Sequence, residues 1–216
     1  MNRDLEHHSK SLLASEEWRT LPWRDFPKDS LQNLFDIGFE IAGLLEQLDA
    51  RESSPFPENK VSKTAQISLR CSEVRDQLEE WYNKSSFNRD WQNQASPSSP
   101  GIDGDGSFST PDFIDFWEAT NMASCWLFKL ILNGIMVSVV QDPPQLEQLH
   151  ENSMRLALSI LAASPHFLAD QTGWLGPQRY FFPIRQAMVY LKQEDSPLGA
   201  KAQMMFGRTV GKLRAL

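Results

Sequence analysis

Hydrophobic residues recur at spacings of three and four along most of this chain, and no stretch alternates convincingly between apolar and polar positions. The first pattern is typical of amphipathic α-helices, whereas alternation is typical of half-buried strands. The sequence therefore predicts an all-α fold, a single irregular bundle of about six to seven helices around a long central helix. We expect residues 1–216 to form one helical domain.

Prolines, glycines and capping residues set the expected helix boundaries. Thr110 is expected to cap the central helix, with Pro111 in its first helical position. The Asp-Pro-Pro sequence at 142–144 is expected to end that helix. The predicted helices cover about 31–49, 63–84, 110–141, 145–163, 177–193 and 197–213.

Two stretches are less regular. The span QNQASPSSPGIDGDGSFS, at about 92–109, is rich in Ser, Pro, Gly and Asp and is predicted to be a mobile loop. Pro183 lies within a helical pattern, where it would kink the helix and free a carbonyl near Arg179. Alternatively, Pro177 to Phe182 form a turn and the helix begins only after Pro183.

Composition limits the function. The net charge of −7 argues against nucleic-acid binding by this chain alone, because that affinity comes from clustered Lys and Arg. The sequence contains two cysteines, Cys71 and Cys125, far apart, which is more typical of reduced thiols inside a cell than of a disulfide framework. The N-terminus does not resemble a signal peptide, and polar residues interrupt the apolar run from Met122 to Val140, which predicts a buried helix and no membrane span. We expect an intracellular protein, cytoplasmic or nuclear.

Two motifs resemble a known family. The segment HFLADQTGWLGPQRYFFPIRQAMVYL is similar to the C-terminal part of the regulatory domain of fungal zinc binuclear cluster transcription factors, especially those of secondary-metabolite gene clusters. The run EEWRTLPWRDFPKDSLQNLFDIGFEIAGLLEQLD resembles the family's Trp-Arg-x-x-Pro-Trp motif and leucine-rich helix. The matching positions are Trp18, Arg19, Pro22, Trp23, Lys28, Leu34, Gly173, Leu175, Gly176, Pro177, Gln178, Phe182, Pro183, Ile184 and Ala187.

The resemblance implies a regulatory domain, but this sequence lacks the family's cluster of six cysteines that binds two zinc ions. The chain looks like a freestanding version of that domain, without a DNA-binding module. The implied partners are an apolar small-molecule metabolite and a DNA-binding partner protein. The predicted last helix could also support a homodimer, or it could pack on its own core.

Aromatic residues, most of them in the segment HFLADQTGWLGPQRYFFPIRQAMVYL, are candidates for the walls of an apolar ligand pocket. For any one of them the alternative is an ordinary place in the core. Polar residues between them could orient a ligand. The candidate ligand-binding residues are Trp117, Trp126, Gln171, Trp174, Arg179, Tyr180 and Phe182, with Phe167 and Phe181 as further aromatics.

The candidate catalytic residues are Arg185, His166 and Asp170. Arg185 could present a cation to an enolate, carboxylate or phenolate, or it could pair with Asp170 or extend to solvent. His166 could act as an acid or base. No phosphate loop, nucleophile elbow or metal motif is present, so the sequence implies no cofactor and no metal site.

Acidic residues at the start of the central helix have another explanation. Asp112, Asp115 and Glu118 follow one another at a spacing of three, as paired acid-base carboxylates might. The helix dipole accounts for them more simply, because it favours negative charge at an N-terminus.

Two functions fit these residues. The first is a regulatory domain that binds an apolar secondary metabolite or a partner protein. The alternative is a cofactor-independent enzyme of fungal secondary-metabolite biosynthesis, of the cyclase, isomerase or pericyclase type, that uses the same helical pocket. Such chemistry needs positioning and one or two hydrogen bonds more than a nucleophile or metal.

Overall fold

The computed structural model describes residues 2–84, 112–193 and Gly207. Over these residues the protein is all-α, as the sequence predicted, and no strand occurs in them. Short 3₁₀ turns cover Leu12–Ala14, Leu21–Trp23 and Asp170–Thr172. The helices are α1 (Asn2–Glu6), α2 (Glu16–Thr20), α3 (Ser30–Glu52), α4 (Pro57–Lys84), α5 (Phe116–Val139), α6 (Pro143–Ala162), α7 (Ser164–Phe167) and α8 (Leu175–Gln193).

The chain divides into two compact units. Unit 1 comprises Met1–Ser86 and Ile131–Leu149, and unit 2 comprises Phe87–Leu130 and His150–Leu216. The prediction of a single domain stays a prediction. The predicted loop at 92–109 and, apart from the helical Gly207, the predicted last helix at 197–213 lie outside the described residues.

In unit 1, α3 and α4 pack as an antiparallel helical hairpin. Asp29 caps α3 with a complete capping box: its side chain accepts from the Gln32 amide, and the Gln32 side chain accepts from the Asp29 amide. Only residues 53–56 separate the two helices, so they lie side by side. Their buried side chains include Leu34, Ile41, Leu44, Ile67, Val74 and Leu78.

Ion pairs hold the Trp-Arg-x-x-Pro-Trp motif and the residues after it against the polar face of α3. Arg19 Nη1 lies 3.0 Å from Glu40 Oε1, and Arg70 of α4 pairs with the other oxygen of Glu40. Lys28 pairs with Asp36, and its ammonium lies 5.8 Å from the centre of a Trp23 ring. Both carboxylates are largely shielded from water. Arg19 and Lys28, which carry part of the resemblance, therefore have structural contacts here.

Helix α4 begins earlier than the sequence predicted. The expected start was near Lys63, but the helix starts at Pro57. Proline fits a first helical position because it has no amide hydrogen to leave unpaired. Pro57 therefore opens α4.

Helix α5 begins later than expected. Asp112 and Phe113 are not helical, so the predicted start at Thr110 and Pro111 was wrong. The Asp115 side chain accepts from the Glu118 amide at 2.8 Å, and the Asp115 carbonyl accepts from the Ala119 amide. Asp115 is therefore the capping residue. The prediction that Asp115 and Glu118 serve a helix terminus agrees with these contacts.

The start of α6 also differs from its prediction at Gln145. The Asp142 side chain accepts from the Gln145 amide at 3.3 Å, and α6 begins at Pro143. The Asp-Pro-Pro sequence was expected only to stop α5, which ends at Val139. It also caps the next helix, because an acidic cap followed by proline is a favourable helix start.

Helix α5 is apolar enough to be tested as a membrane span. Its most apolar 18-residue window has a mean hydropathy of 1.6, and 67% of that window is buried within the structure. The core helix of a soluble protein meets the same criteria of length and composition. Its burial fits the predicted core helix.

Helix α8 resolves the alternative left open at Pro183. The helix runs without a break from Leu175 to Gln193, and Pro183 is buried inside it. Proline has no amide hydrogen, so Pro183 cannot donate to the carbonyl of Arg179. The helix thus contains its proline and does not begin after it.

Candidate functional site

The segment before α8 is a tight turn held by close contacts. Gly173 has a φ of 53°, a left-handed conformation that glycine adopts at little cost. The Thr172 hydroxyl donates toward the carbonyls of Ala169 at 2.7 Å and Phe167 at 3.1 Å. A Cβ on Gly176 would lie 2.1 Å from the Phe167 carbonyl oxygen, so only glycine fits there without movement. The first turn of α8 is therefore fixed against α7.

Tyr180 anchors α8 in the core of unit 2. Its ring stacks on Phe167 with centroids 4.3 Å apart, and Phe116 meets Phe167 edge-on at 5.7 Å. The Tyr180 hydroxyl donates to the carbonyl of Ile160. The side chain is fully buried, which raises its pKa well above the usual value for tyrosine. Tyr180 is therefore a neutral hydrogen-bond donor near neutral pH.

His166 belongs to a second aromatic group. Its ring meets Phe113 edge-on with centroids 4.8 Å apart, and Phe113 lies 6.1 Å from Trp126. Trp126 is buried, and His166 and Phe113 are half-buried. Sequence reasoning missed Phe113. It stands in the expected first turn of a helix, where nothing indicated a contact with His166.

Among the residues of unit 2 that the structure describes, three aromatic side chains are exposed. Trp117 is 52% exposed, Trp174 75% and Phe181 66%. Phe181 lies between the buried Tyr180 and Phe182, because successive residues of a helix point in different directions. The polar candidates Gln171, Arg179 and Arg185 are also exposed.

The candidate residues thus fall into a buried set and an exposed set. Trp126, Tyr180 and Phe182 have core positions, while Trp117 and Trp174 face solvent. The side chain of Asp170 lies outside the described part of the chain. That these residues surround one ligand stays a prediction.

Unit 1 contains a groove that sequence reasoning missed. It has a volume of about 520 Å³ and lies between the start of α3 and the end of α4. Helix α3 contributes Ser30, Asn33 and Ile37, and α4 contributes Gln77, Glu80, Trp81 and Lys84. Spacings of three and four place each set on one face of its helix. That periodicity was the available signal, but it does not show that the two faces meet.

Trp81 is fixed in the wall of this groove. Its indole Nε1 donates to the Ser30 carbonyl at 2.7 Å, and the side chain is buried. At the groove's edge, Lys84 Nζ and Glu80 Oε1 are 2.5 Å apart, and both side chains are exposed. The hydrogen bond and charge from Lys84 lower the pKa of Glu80. The charges of Glu80 and Lys84 therefore neutralise each other.

Metal-binding residues are not grouped in the described ranges. Among residues 2–84 and 112–193, no three or more His, Cys, Asp or Glu side chains are placed to hold a metal ion. Cys71 and Cys125 are both buried. Burial raises the pKa of the Cys71 thiol to about 11, so this thiol stays protonated near neutral pH.

Comparison with known proteins adds no assignment. No family model, no curated protein and no solved structure matches this chain. The resemblance to fungal regulatory domains therefore stays a prediction from the motifs.

Proposed function

We propose that this protein acts as a regulatory domain that influences transcription by binding a partner protein, with an apolar secondary metabolite as its signal. The 216 residues contain two cysteines and a net charge of −7, which is a poor basis for reading DNA directly. DNA recognition is assigned to the partner.

One observation carries this proposal: the side chains of Trp174 and Phe181 are exposed in unit 2, at and beside the start of α8. Large aromatic side chains are enriched in protein interfaces, where a few of them contribute most of the affinity. Each of these two exposed aromatic side chains is a candidate for such a contact.

The contacts beneath the two side chains support the same conclusion. Gly176 lies against the Phe167 carbonyl, and Tyr180 is held by its stack on Phe167 and its hydrogen bond to Ile160. The backbone that presents Trp174 and Phe181 is held by contacts within the chain itself. Such preorganisation lowers the entropy cost of association.

The proposal is tested in the host organism. The gene is deleted and complemented with wild type, with the double variant Trp174→Ala/Phe181→Ala, or with the control Val189→Ala. Val189 is also an exposed apolar residue of α8. Transcripts of the neighbouring pathway genes and the extracted metabolites are then measured, and thermal unfolding checks that each variant folds.

Loss of transcripts and of all products in the deletion strain and the double variant, with recovery in Val189→Ala, supports the regulator. Normal transcripts with one accumulated intermediate or with shunt isomers contradict it and favour the alternative, a cofactor-independent cyclase or isomerase. In that case Arg185 and His166 become the first residues to replace.

A further inference from the structure

The segment at 8–28, which precedes α3, contacts that helix through its carboxylates. We call this segment the N-terminal strap. Its contacts follow opposite orders along the two segments, so the strap runs antiparallel to α3. Apart from Glu52, which pairs with Arg51, every acidic residue of α3 takes part. The contacts are His8 Nδ1 with Asp49 Oδ2 at 2.8 Å, the Lys10 amide with Glu46 Oε2 at 2.9 Å, Arg19 Nη1 with Glu40 Oε1 at 3.0 Å, and Lys28 Nζ with Asp36 Oδ2.

Apolar burial contributes little to the attachment of the strap. Within residues 8–28, Ser11 is the one buried residue. Most of the large apolar side chains of the strap are exposed instead, namely Leu12, Leu13, Trp18, Leu21 and Phe26. Because burial of apolar surface is the main force that holds a segment in a fold, the strap depends on its polar contacts.

The hairpin of α3 and α4 has the opposite balance. Both helices contribute apolar side chains that are almost completely buried, among them Leu34, Ile41 and Leu78. Glu40 also keeps a partner within the hairpin, because Arg70 of α4 pairs with its second oxygen. Segments with few buried apolar contacts open at a lower free energy than core helices. Opening of the strap therefore leaves the hairpin core intact.

We propose that the N-terminal strap is a releasable element, which detaches from α3 as one segment while the hairpin stays folded. Polar contacts with carboxylates hold it in place, so loss or screening of those contacts releases it. The residues involved are not the ones that carry the proposed function, and the strap is tested independently of it. Detachment uncovers an acidic surface of α3, formed by Asp36, Glu40, Glu46 and Asp49.

Amide hydrogen exchange of the full chain, followed by mass spectrometry, reports on the strap and the hairpin separately. The test variant is Arg19→Gln/Lys28→Gln, which removes the cations from two of the contacts and leaves α3 and α4 unchanged. The matched control is Lys10→Gln/Arg24→Gln. It removes the same amount of positive charge from exposed side chains of the strap that make none of these contacts.

We expect amides of the strap to exchange about tenfold faster in the test variant than in wild type, because each lost pair lowers the free energy of opening. Amides of α3 and α4 should change by less than about twofold, and the control should match wild type throughout. Unchanged exchange in the strap, acceleration that extends to α3 and α4, or equal acceleration in the control each overturn the proposal.

Wild type supplies a second test that needs no substitution. Raising the salt concentration from about 0.1 M to about 1 M shortens the Debye length from about 10 Å to about 3 Å. Screening acts most on the exposed pair of His8 and Asp49, so exchange should accelerate first at that end of the strap while the hairpin stays protected. A strap whose exchange is the same at both salt concentrations also overturns the proposal.

Discussion

Replacing Gly176 with alanine adds one methyl group where the backbone of α7 leaves no room. The new carbon would lie 2.1 Å from the Phe167 carbonyl oxygen and 2.4 Å from the Thr172 hydroxyl oxygen. The threonine side chain can rotate away, but the carbonyl moves only with the backbone. The start of α8 must therefore shift away from α7.

The expected loss follows from three contributions. Overpacking costs about 1–3 kcal/mol, with the upper end appropriate where a backbone atom must move. Displacing the Thr172 hydroxyl from its carbonyl acceptors removes about 1 kcal/mol of hydrogen bonding. Alanine regains about 1 kcal/mol over glycine as a helix former. The net expectation is a loss of about 2–3 kcal/mol in the free energy of unfolding.

Thermal unfolding followed by circular dichroism at the helical band measures the effect. For a chain of this length the expected decrease in Tm is about 4–12 °C. The control is Gly134→Ala in α5, where an added carbon meets nothing within 4 Å. That variant should gain about 1 kcal/mol from helix propensity alone. A Gly176→Ala protein as stable as wild type would refute the close approach described here.

Three further substitutions test the other contacts. Tyr180→Phe removes the buried hydrogen bond to the Ile160 carbonyl, which keeps the Ala163 amide as a donor, and should cost about 0.5–1.5 kcal/mol in chemical denaturation; an unchanged midpoint would contradict that hydrogen bond. Burial raises the pKa of Cys71 from 9.0 to about 11, so its contribution to stability is complete below pH 9 and decreases between pH 9 and 11. The stability of the Cys71→Ala variant should decrease less over that pH range than the stability of wild type, and identical profiles of stability against pH would contradict this. Glu40→Gln breaks the pairs with Arg19 and Arg70 and should cost about 1–2 kcal/mol, less at high salt. Glu80→Gln, at an exposed side chain, should leave stability unchanged, and equal losses in both would refute a special role for Glu40.

Periodicity predicted the helices because each buries one face, and that requirement is written in the local sequence. Helix starts were harder to predict. Thr110 and Asp115 are both good capping residues, and the local sequence does not choose between them. Phe113 lies between them outside the helix, and its ring contacts His166 and Trp126. Such a contact joins residues far apart in sequence, so no local pattern reveals it.

The candidate site was harder to predict for the same reason. Tyr180, Phe181 and Phe182 are chemically alike, but a helix places neighbours about 100° apart, and the packing of α8 decides which of them is buried. The motif identified this segment as unusual. It did not separate the outward Phe181 from its buried neighbours.

The hairpin of α3 and α4 also has a consequence for how the chain is made. The described residues that line the groove lie between Ser30 and Lys84, and contacts between sequence neighbours form early because little loop entropy is lost. Synthesis proceeds from the N-terminus, so a nascent chain that has passed Lys84 already holds both walls. We expect the groove to assemble during translation, while most of unit 2 is still being synthesised.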